Sequence, residues 1–437
     1  MQTFGGLNWP LAIGAGSLLV AYLALFPALY ALITARLVGH FGLRALLLSP
    51  AVWVATELLR RWVLGGFPWV LLGYSQAGVL PVVQTASLAG VYGLSAEVAL
   101  APVALVLAVR ARGLLRIVAP LSIVLAIGSL ALWGQWRVSD GALVRQGASV
   151  KVALVQGNIP QTQKWDQGRA SQILGTYLDL TRRAASQGAT LVVWPESATP
   201  FLFEYDAAGN AAIRNAARGL GVSLLFGSDE YEPGTPARFY NSAFLLAPDG
   251  STAAVYRKMH LVPFGEFVPL KRLLFFVGPL VEAVSDFSPG AVAVVMPVGP
   301  HRLSTAICYE IVYPDLIADF VAHGSQLLTT ITNDAWYGDS SAPYQHFWQA
   351  VVRSVEQGRY LVRAANTGIS GIVDPYGRVQ AMSPVFERTV VVGEARYLES
   401  RTVYGRTGDT FAWACVLVTL LACVATWRRT TAPSLSR

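Results

Sequence analysis

Long apolar runs at both ends of the chain, flanking a middle that reads as ordinary globular protein, constrain its folding more than any other feature. A helix that crosses a bilayer needs about 20 mostly apolar residues. Segments 10–35, 43–60, 83–109 and 114–135 meet that length, and "TFAWACVLVTLLACVATW", 410–427, is a fifth. The whole chain is 54% hydrophobic and 14% charged. A soluble domain usually carries roughly a quarter charged residues, so an integral membrane protein is expected. Buried core helices are the bland alternative for each run, but their number and clustering argue against it.

The sequence therefore divides into a membrane region over 1–138 with about four spans, a globular domain over 150–405, and a C-terminal span over 410–428. Segment 61–80, "RWVLGGFPWVLLGYSQAGVL", is apolar but broken by Gly-Gly and Pro. It is expected to be interfacial or re-entrant, lined by protein. Basic loops stay in the cytoplasm, which places "RARGLLR" (110–116), "TARLVGHFGLR" (34–44) and the tail "RRTTAPSLSR" inside. The globular domain is then outside, in the periplasm if the cell is a two-membrane bacterium, and the C-terminus is cytoplasmic. Arg60 and Arg61 run against this count, and residue 1 is left outside with no earlier span to carry it there. The net charge of +7 is met by the anionic membrane surface, and no basic-aromatic pattern suggests nucleic acid.

From residue 150 onward, strand and helix signals alternate. "VKVALVQGN", "ATLVVWPES", "GVSLLFGSDE", "AVAVVMPVG", "RLSTAICYE" and "QLLTTITND" read as strands. "YNSAFLLAPDGSTAAVYRK" and "GISGIVDPYGRVQAM" read as hairpins, on Pro-Asp-Gly and Pro-Tyr-Gly turn chemistry. Helical spacing falls on "ASQILGTYLDLTRRAASQ", "AAIRNAARGL", "YPDLIADFVAHG" and about 343–358. This order predicts an α/β domain of two sheets between helix layers, an α-β-β-α sandwich. In such folds functional groups gather outside the carboxyl ends of strands. Glu196, Cys308 and the pair Asn333–Asp334 end strands here, and Lys258 follows a hairpin strand.

The chain has three cysteines, two of them eight apart in the last apolar run. Cys308 is alone in the globular domain, where an oxidising compartment would tolerate it for lack of a partner. Five scattered histidines and no CxxC give no metal set, and no cofactor is expected. A cysteine nucleophile needs a base for its proton and donors for the oxyanion that forms on attack. Glu196 can be the base, Lys258 the cationic donor and Cys308 the nucleophile, with the Tyr309 N–H as a further donor. Singly these signals are weak: a lone cysteine is most often packing and a strand-end glutamate most often a cap. His260 and His346 lack a distinctive context for a Cys-His pair.

Together, "WPES", "YRKMHLVPFGEFVP" and "ICYE" resemble the Glu-Lys-Cys motifs of the nitrilase (carbon-nitrogen hydrolase) superfamily. The stretches "VALVQGNIPQTQKWD", "HLVPFGEFVPL", "TAICYEIVYP", "TNDAWYGDSSAPYQHFWQAVVRSVEQGRYLVRAANTGISG" and "ELLRRWVLGGFPWVLLGYSQ", with the spans on both sides, resemble the bacterial apolipoprotein N-acyltransferase family over essentially the whole chain.

The resemblance implies a two-step reaction. The cysteine takes the sn-1 acyl chain of a membrane phospholipid as a thioester. The free α-amine of a diacylglyceryl-cysteine at a lipoprotein's N-terminus then accepts it, completing lipoprotein maturation. The resemblance also assigns Glu196 as general base, Lys258 as oxyanion-stabilising lysine and Cys308 as nucleophile. It marks Glu266 as a second glutamate of the site, Tyr309 and Glu310 as flanking the nucleophile, Trp165 as a required tryptophan and Trp336 as a substrate-contacting aromatic. For both tryptophans interface packing is the plain alternative, and for Glu310 a pairing with an arginine. The expected partners are the phospholipid donor, the diacylglyceryl-apolipoprotein acceptor and the bilayer, with the enzyme a monomer.

Family members carry about three more N-terminal spans, so residue 1 is expected to lie near the family's fourth, through a late start codon or a shortened variant. Loops 340–345 and 278–290 are expected to gate the site, on their Gly, Ser and Pro content. Two rival readings use the same residues: a membrane-tethered nitrilase-type amidase acting on a small amide, and a non-catalytic lipoprotein-binding module, which an intact Glu-Lys-Cys set disfavours.

Overall fold

The computed structural model describes residues 8–263, 265–267 and 287–430. The chain forms two compact units, one from Met1–Asp140 with Arg406–Arg437 and the other from Gly141–Gly405. Most of the expected gating loop 278–290 lies outside the described residues.

The first unit is helical. Helices Trp9–Phe41, Ala86–Arg110, Leu115–Asp140 and Thr410–Thr430 each contain a run long and apolar enough to cross a membrane. The first is started by Asn8, whose side chain accepts the Leu11 N–H at 3.1 Å, a cap that meets one of the unpaired donors of a helix start. The sequence pointed to a further span over 43–60. There the chain forms a 3-10 helix, Leu43–Leu48, and then a twelve-residue α-helix, Ser49–Arg60. Pro50, which starts that helix and can donate no N–H, separates the two pieces. Twelve residues rise about 18 Å, short of a hydrocarbon core of about 30 Å.

Residues 61–80 form short 3-10 turns, Val63–Gly65 and Leu72–Gln76. Their irregular backbone bonds within the unit. Leu72 N–H donates to Glu57 Oε1 at 2.7 Å and Gly73 N–H to Ser95 Oγ at 2.9 Å. Such partners are what non-helical backbone needs away from water.

The second unit contains two six-stranded sheets. The first has the order β12-β1-β2-β3-β4-β5 and the second β11-β10-β9-β8-β7-β6. The strands of the first are β1 (Ser149–Gln156), β2 (Leu191–Val193), β3 (Ser223–Glu232), β4 (Arg238–Leu246), β5 (Thr252–Arg257) and β12 (Thr389–Arg396). The second comprises β6 (Met296–Val298), β7 (His301–Ile307), β8 (Leu327–Thr332), β9 (Leu361–Ala365), β10 (Gly371–Val373) and β11 (Val379–Met382). Each sheet has three adjacent parallel strands, β1-β2-β3 and β7-β8-β9, with antiparallel strands outside them.

Helices connect the parallel strands, as parallel pairing requires. On the first sheet these are Ala170–Ser186 and Ala207–Leu220, whose apolar sides form a core with Trp194, Phe203, Phe226 and Phe244. On the second they are Pro314–Ala322 and Ala342–Gln357. The expected α-β-β-α sandwich is what the chain forms. The sheets are joined by buried polar contacts: Ser370 Oγ and Ser383 Oγ donate to Gln156 Oε1 at 2.7 and 2.8 Å. Strand β12, which closes the first sheet antiparallel to β1, was not evident from the sequence. Only three residues of "AVAVVMPVG" pair as β6.

Two parallel strand ends aim their loops at one place. After β2 the chain turns through Glu196 and Ser197, the latter with a positive φ of 44°. Gly227 on β3 holds that turn: its N–H donates to Pro195 O at 3.1 Å and its carbonyl accepts from Ala198 N at 2.8 Å. A Cβ on Gly227 would lie 2.5 Å from Ser197 N and 2.7 Å from Glu196 Cα, both backbone. Gly227→Ala is therefore expected to lower stability by about 1–3 kcal/mol and to displace Glu196. The checks are a denaturation midpoint in detergent and turnover measured on the same preparation.

Candidate active site

Glu196, Lys258, Cys308 and the pair Asn333–Asp334 lie at the carboxyl ends of β2, β5, β7 and β8; for the parallel strands β2, β7 and β8 this is the expected end, whereas β5 is antiparallel to β4. Glu196 follows β2, Lys258 follows β5, and Cys308 begins the 3-10 helix Cys308–Val312 that follows β7. Cys308 has φ +53°, a left-handed backbone that a non-glycine residue adopts at an energetic cost and only where its surroundings enforce it. Glu196, Lys258, Glu266, Cys308, Tyr309 and Glu310 are all buried.

Lys258 is the hub. Its Nζ lies 2.8 Å from Glu266 Oε1 and 3.2 Å from Glu196 Oε1, and only 1% of the lysine side chain is exposed. Asn241 on β4 ties the same two carboxylates together, its Nδ2 donating to each at 2.8 Å. The second oxygen of Glu196 accepts the Asn333 N–H at 2.8 Å, and that of Glu266 accepts the Val262 N–H at 2.8 Å. Burial works against the Lys258 charge, but Glu266 and Glu196 outweigh it and hold its pKa above the ordinary lysine value. Burial likewise works against ionising Glu196, but Lys258, Lys164 and Asn241 hold its pKa below the usual carboxylate value. Burial and the nearby Glu196 charge push the Cys308 thiol up, against a smaller pull from Lys258. The resting site thus holds a neutral thiol beside an ionised carboxylate and a charged lysine. This is the protonation state from which a carboxylate base can take the thiol proton as the sulfur attacks.

Glu310 belongs to the frame of this site. Its Oε1 accepts from Tyr256 OH at 2.8 Å, Met259 N at 2.6 Å and His260 N at 3.1 Å, and its Oε2 accepts from Ile307 N at 2.8 Å. It therefore ties the chain just after Lys258 to the residue just before Cys308. Burial lifts its pKa to about 7 against the pull of these donors and of Lys258. The arginine pairing considered for Glu310 from the sequence is not what the structure forms; Tyr256 and three backbone N–H groups take that place. Trp165 and Trp336 are exposed, 44% and 51%. Trp165 directly follows Lys164, and Trp336 lies three residues after Asn333, both of which bond to Glu196. Of segment 340–345, expected from the sequence to be a gating loop, residues 342–345 form the first turn of the helix Ala342–Gln357.

Several further residues reach the site without having been legible in the sequence. Lys164 is 3% exposed and donates to the Glu196 carbonyl at 2.9 Å. Burial lowers its pKa to about 8, with Glu196 and Asp229 resisting. Asp229 on β3, lifted to about 7 by burial, accepts from Ser197 Oγ at 3.2 Å. His346, set aside as a thiol partner, places Nε2 3.1 Å from the Cys308 carbonyl oxygen. Lys164 had a signal, its place beside Trp165; Asp229 and His346 sit within ordinary strand and helix patterns. Among the described residues no group of His, Cys, Asp and Glu could hold a metal ion.

Known proteins similar to this chain cover nearly all of it. Residues 151–399 match the carbon-nitrogen hydrolase family, and residues 1–104 match the apolipoprotein N-acyltransferase N-terminal domain. A protein of Geobacter metallireducens named apolipoprotein N-acyltransferase is 42% identical over 434 residues, covering 98% of this chain and 83% of its own. One of the same name from Shewanella oneidensis is 38% identical over 438 residues, covering 94% and 80%. Among solved structures, an amidase from Nesterenkonia sp. is 23% identical, covers 62% of this chain and 97% of its own, and superposes with a TM-score of 0.46.

The four donors around Glu310 predict the effect of replacing it. An amide in its place presents an NH₂ to one set of N–H groups, leaving buried donors unsatisfied at about 1–3 kcal/mol. Glu310→Gln is expected to lower stability by that amount and turnover at least tenfold. A denaturation midpoint and steady-state kinetics on one preparation check both.

Proposed function

Because the chain belongs to the apolipoprotein N-acyltransferase family, we propose that it moves an acyl chain from the sn-1 ester of a membrane phospholipid to the free α-amine of an N-terminal diacylglyceryl-cysteine, through a thioester on Cys308. The observation that supports this most is the buried Lys258, held between Glu196 and Glu266 at the same strand ends as Cys308.

In the first half-reaction Glu196 takes the thiol proton while the sulfur attacks the ester carbonyl carbon. The oxyanion that forms is stabilised by the Lys258 ammonium and the Tyr309 N–H. The carbon–oxygen ester bond then breaks, and the glycerol oxygen leaves with the proton returned by Glu196, giving a lysophospholipid. In the second half-reaction the acceptor amine attacks the thioester, Glu196 takes its proton, and the carbon–sulfur bond breaks. The sulfur recovers that proton, leaving an amide and free enzyme. Glu266 keeps Lys258 charged and in place through both halves. Trp165 and Trp336, exposed beside residues that bond Glu196, are suited to contact the incoming lipids. Burial of Cys308 limits water, which favours attack by the amine over hydrolysis.

The basic loops and the family support a bacterial inner-membrane location, with the catalytic unit on the periplasmic side, the C-terminus cytoplasmic and a single chain as the working unit. The alternative of a tethered amidase acting on a small amide uses the same triad, with water as second nucleophile.

Intact-protein mass spectrometry of the full chain in detergent with phosphatidylethanolamine tests the reading. The expected result is a single acyl adduct that hydroxylamine removes and Cys308→Ala abolishes. Lys258→Ala is expected to slow its formation by about 100-fold or more, the order of effect of losing an oxyanion donor. Folded protein that gains no adduct from phospholipid, yet releases ammonia from a small amide, would overturn the reading in favour of the amidase.

A further inference from the structure

A buried trio lies on the second sheet behind the nucleophile, outside the Glu-Lys-Cys set. His346 comes from the helix Ala342–Gln357, Asp334 from the turn after β8, and Arg363 from β9. None is more than 1% exposed. His346 Nε2 lies 3.1 Å from the Cys308 carbonyl oxygen, and Nδ1 lies 3.0 Å from both Asp334 Oδ1 and Arg363 Nη2. Arg363 Nη2 also reaches Asp334 Oδ2 at 2.9 Å, and Thr332 Oγ1 donates to Asp334 Oδ1 at 2.8 Å. Because a carbonyl only accepts, the network assigns the proton to Nε2. Nδ1 then accepts from Arg363 Nη2, which Asp334 fixes in place by accepting from the same group, so that the Nε2–H points at the Cys308 carbonyl.

The consequence lies in the next bond of the chain. The peptide unit joining Cys308 to Tyr309 is planar, so its C=O and N–H turn together. Fixing the Cys308 oxygen fixes the direction of the Tyr309 N–H on the opposite side. Glu310 already clamps the Ala306–Ile307 peptide unit, two units earlier, through the Ile307 N–H at 2.8 Å. Cys308 sits at φ +53° between the two clamps, where an unsupported backbone would relax. We propose that His346, held by Asp334 and Arg363, is a positioning residue that aims the Tyr309 N–H at the oxyanion formed on attack by Cys308.

This rests on Cys308 being the nucleophile, and the test separates the two ideas. Alkylation of a thiol by iodoacetamide passes through no oxyanion, whereas acylation by p-nitrophenyl butyrate does. Both rates are measured at Cys308 of the full chain in detergent, with peptide mass spectrometry to set Cys415 and Cys423 aside. Two polar variants and one apolar variant are compared. A glutamine amide nitrogen can stand where Nε2 stands, while an asparagine nitrogen reaches only as far as Nδ1.

His346→Leu and His346→Asn are expected to slow acylation tenfold to 100-fold with alkylation within threefold of the parent. His346→Gln is expected to recover at least a third of the acylation rate. If His346→Leu does not fold, His346→Asn carries the same expectation alone. Equal losses in both reactions, unchanged acylation in His346→Asn, or no recovery in His346→Gln would overturn the proposal. Acylation that persists in Cys308→Ala would instead overturn the nucleophile assignment and take this inference with it.

Discussion

The charged core of the catalytic unit depends on one ammonium group buried between two carboxylates. Lys258 is 1% exposed, and an isolated charge at that depth is unsustainable; it survives only when paired and hydrogen-bonded. Glu196 and Glu266 are those pairs, and Asn241 fixes their spacing by donating to both. Two carboxylates around one lysine leave a surplus negative charge, and Lys164 beside the Glu196 carbonyl lies where it offsets part of it. Removing one partner of such a cluster generally costs about 3–5 kcal/mol. The same contacts that make the site reactive therefore hold the strand ends of the first sheet together.

The sandwich supplies the geometry this cluster needs. The thiol and the carboxylate proposed as its base come from different sheets: Glu196 follows β2 of the first, Cys308 follows β7 of the second. Glu310 bridges the same divide through the N–H groups of Met259, His260 and Ile307. At the far side, Asn366 after β9 donates to Ile159 O and accepts the Ile159 N–H, tying the end of β1 to the second sheet. Each bridge uses a side chain from one sheet and backbone from the other.

What could be read in advance followed the range of the interaction that decides it. Alternating strands and helices, hairpin turns and strand-end polar residues are local patterns, and they gave the sandwich and the placement of Glu196, Lys258 and Cys308. Strand β12, "TVVVGEAR", was missed although its Thr-Val-Val-Val run favours a strand; its place in the first sheet is set by β1, 247 positions earlier along the chain (Ser149 pairs with Arg396). The span expected over 43–60 was overridden by Pro50, a single residue within an otherwise apolar run. Asn241, Lys164 and Asp229 matter only because of what folding places beside them. His346 was weighed against the wrong atom of the right residue: it meets the carbonyl of Cys308 rather than its sulfur.

That distinction bears on how the thiol is kept. An imidazole beside the sulfur would draw the proton off and leave a resting thiolate, the form that electrophiles and oxidants attack. Here burial and Glu196 keep the thiol protonated, and the histidine is turned toward the backbone instead. A carboxylate with a depressed pKa is a weak resting base toward a thiol. In the proposed reaction it becomes effective as the bond to carbon forms and charge moves from sulfur to the oxyanion, which Lys258 is placed to meet. In that scheme a thiol that ionises only with substrate in place is shielded from electrophiles and oxidants between turnovers.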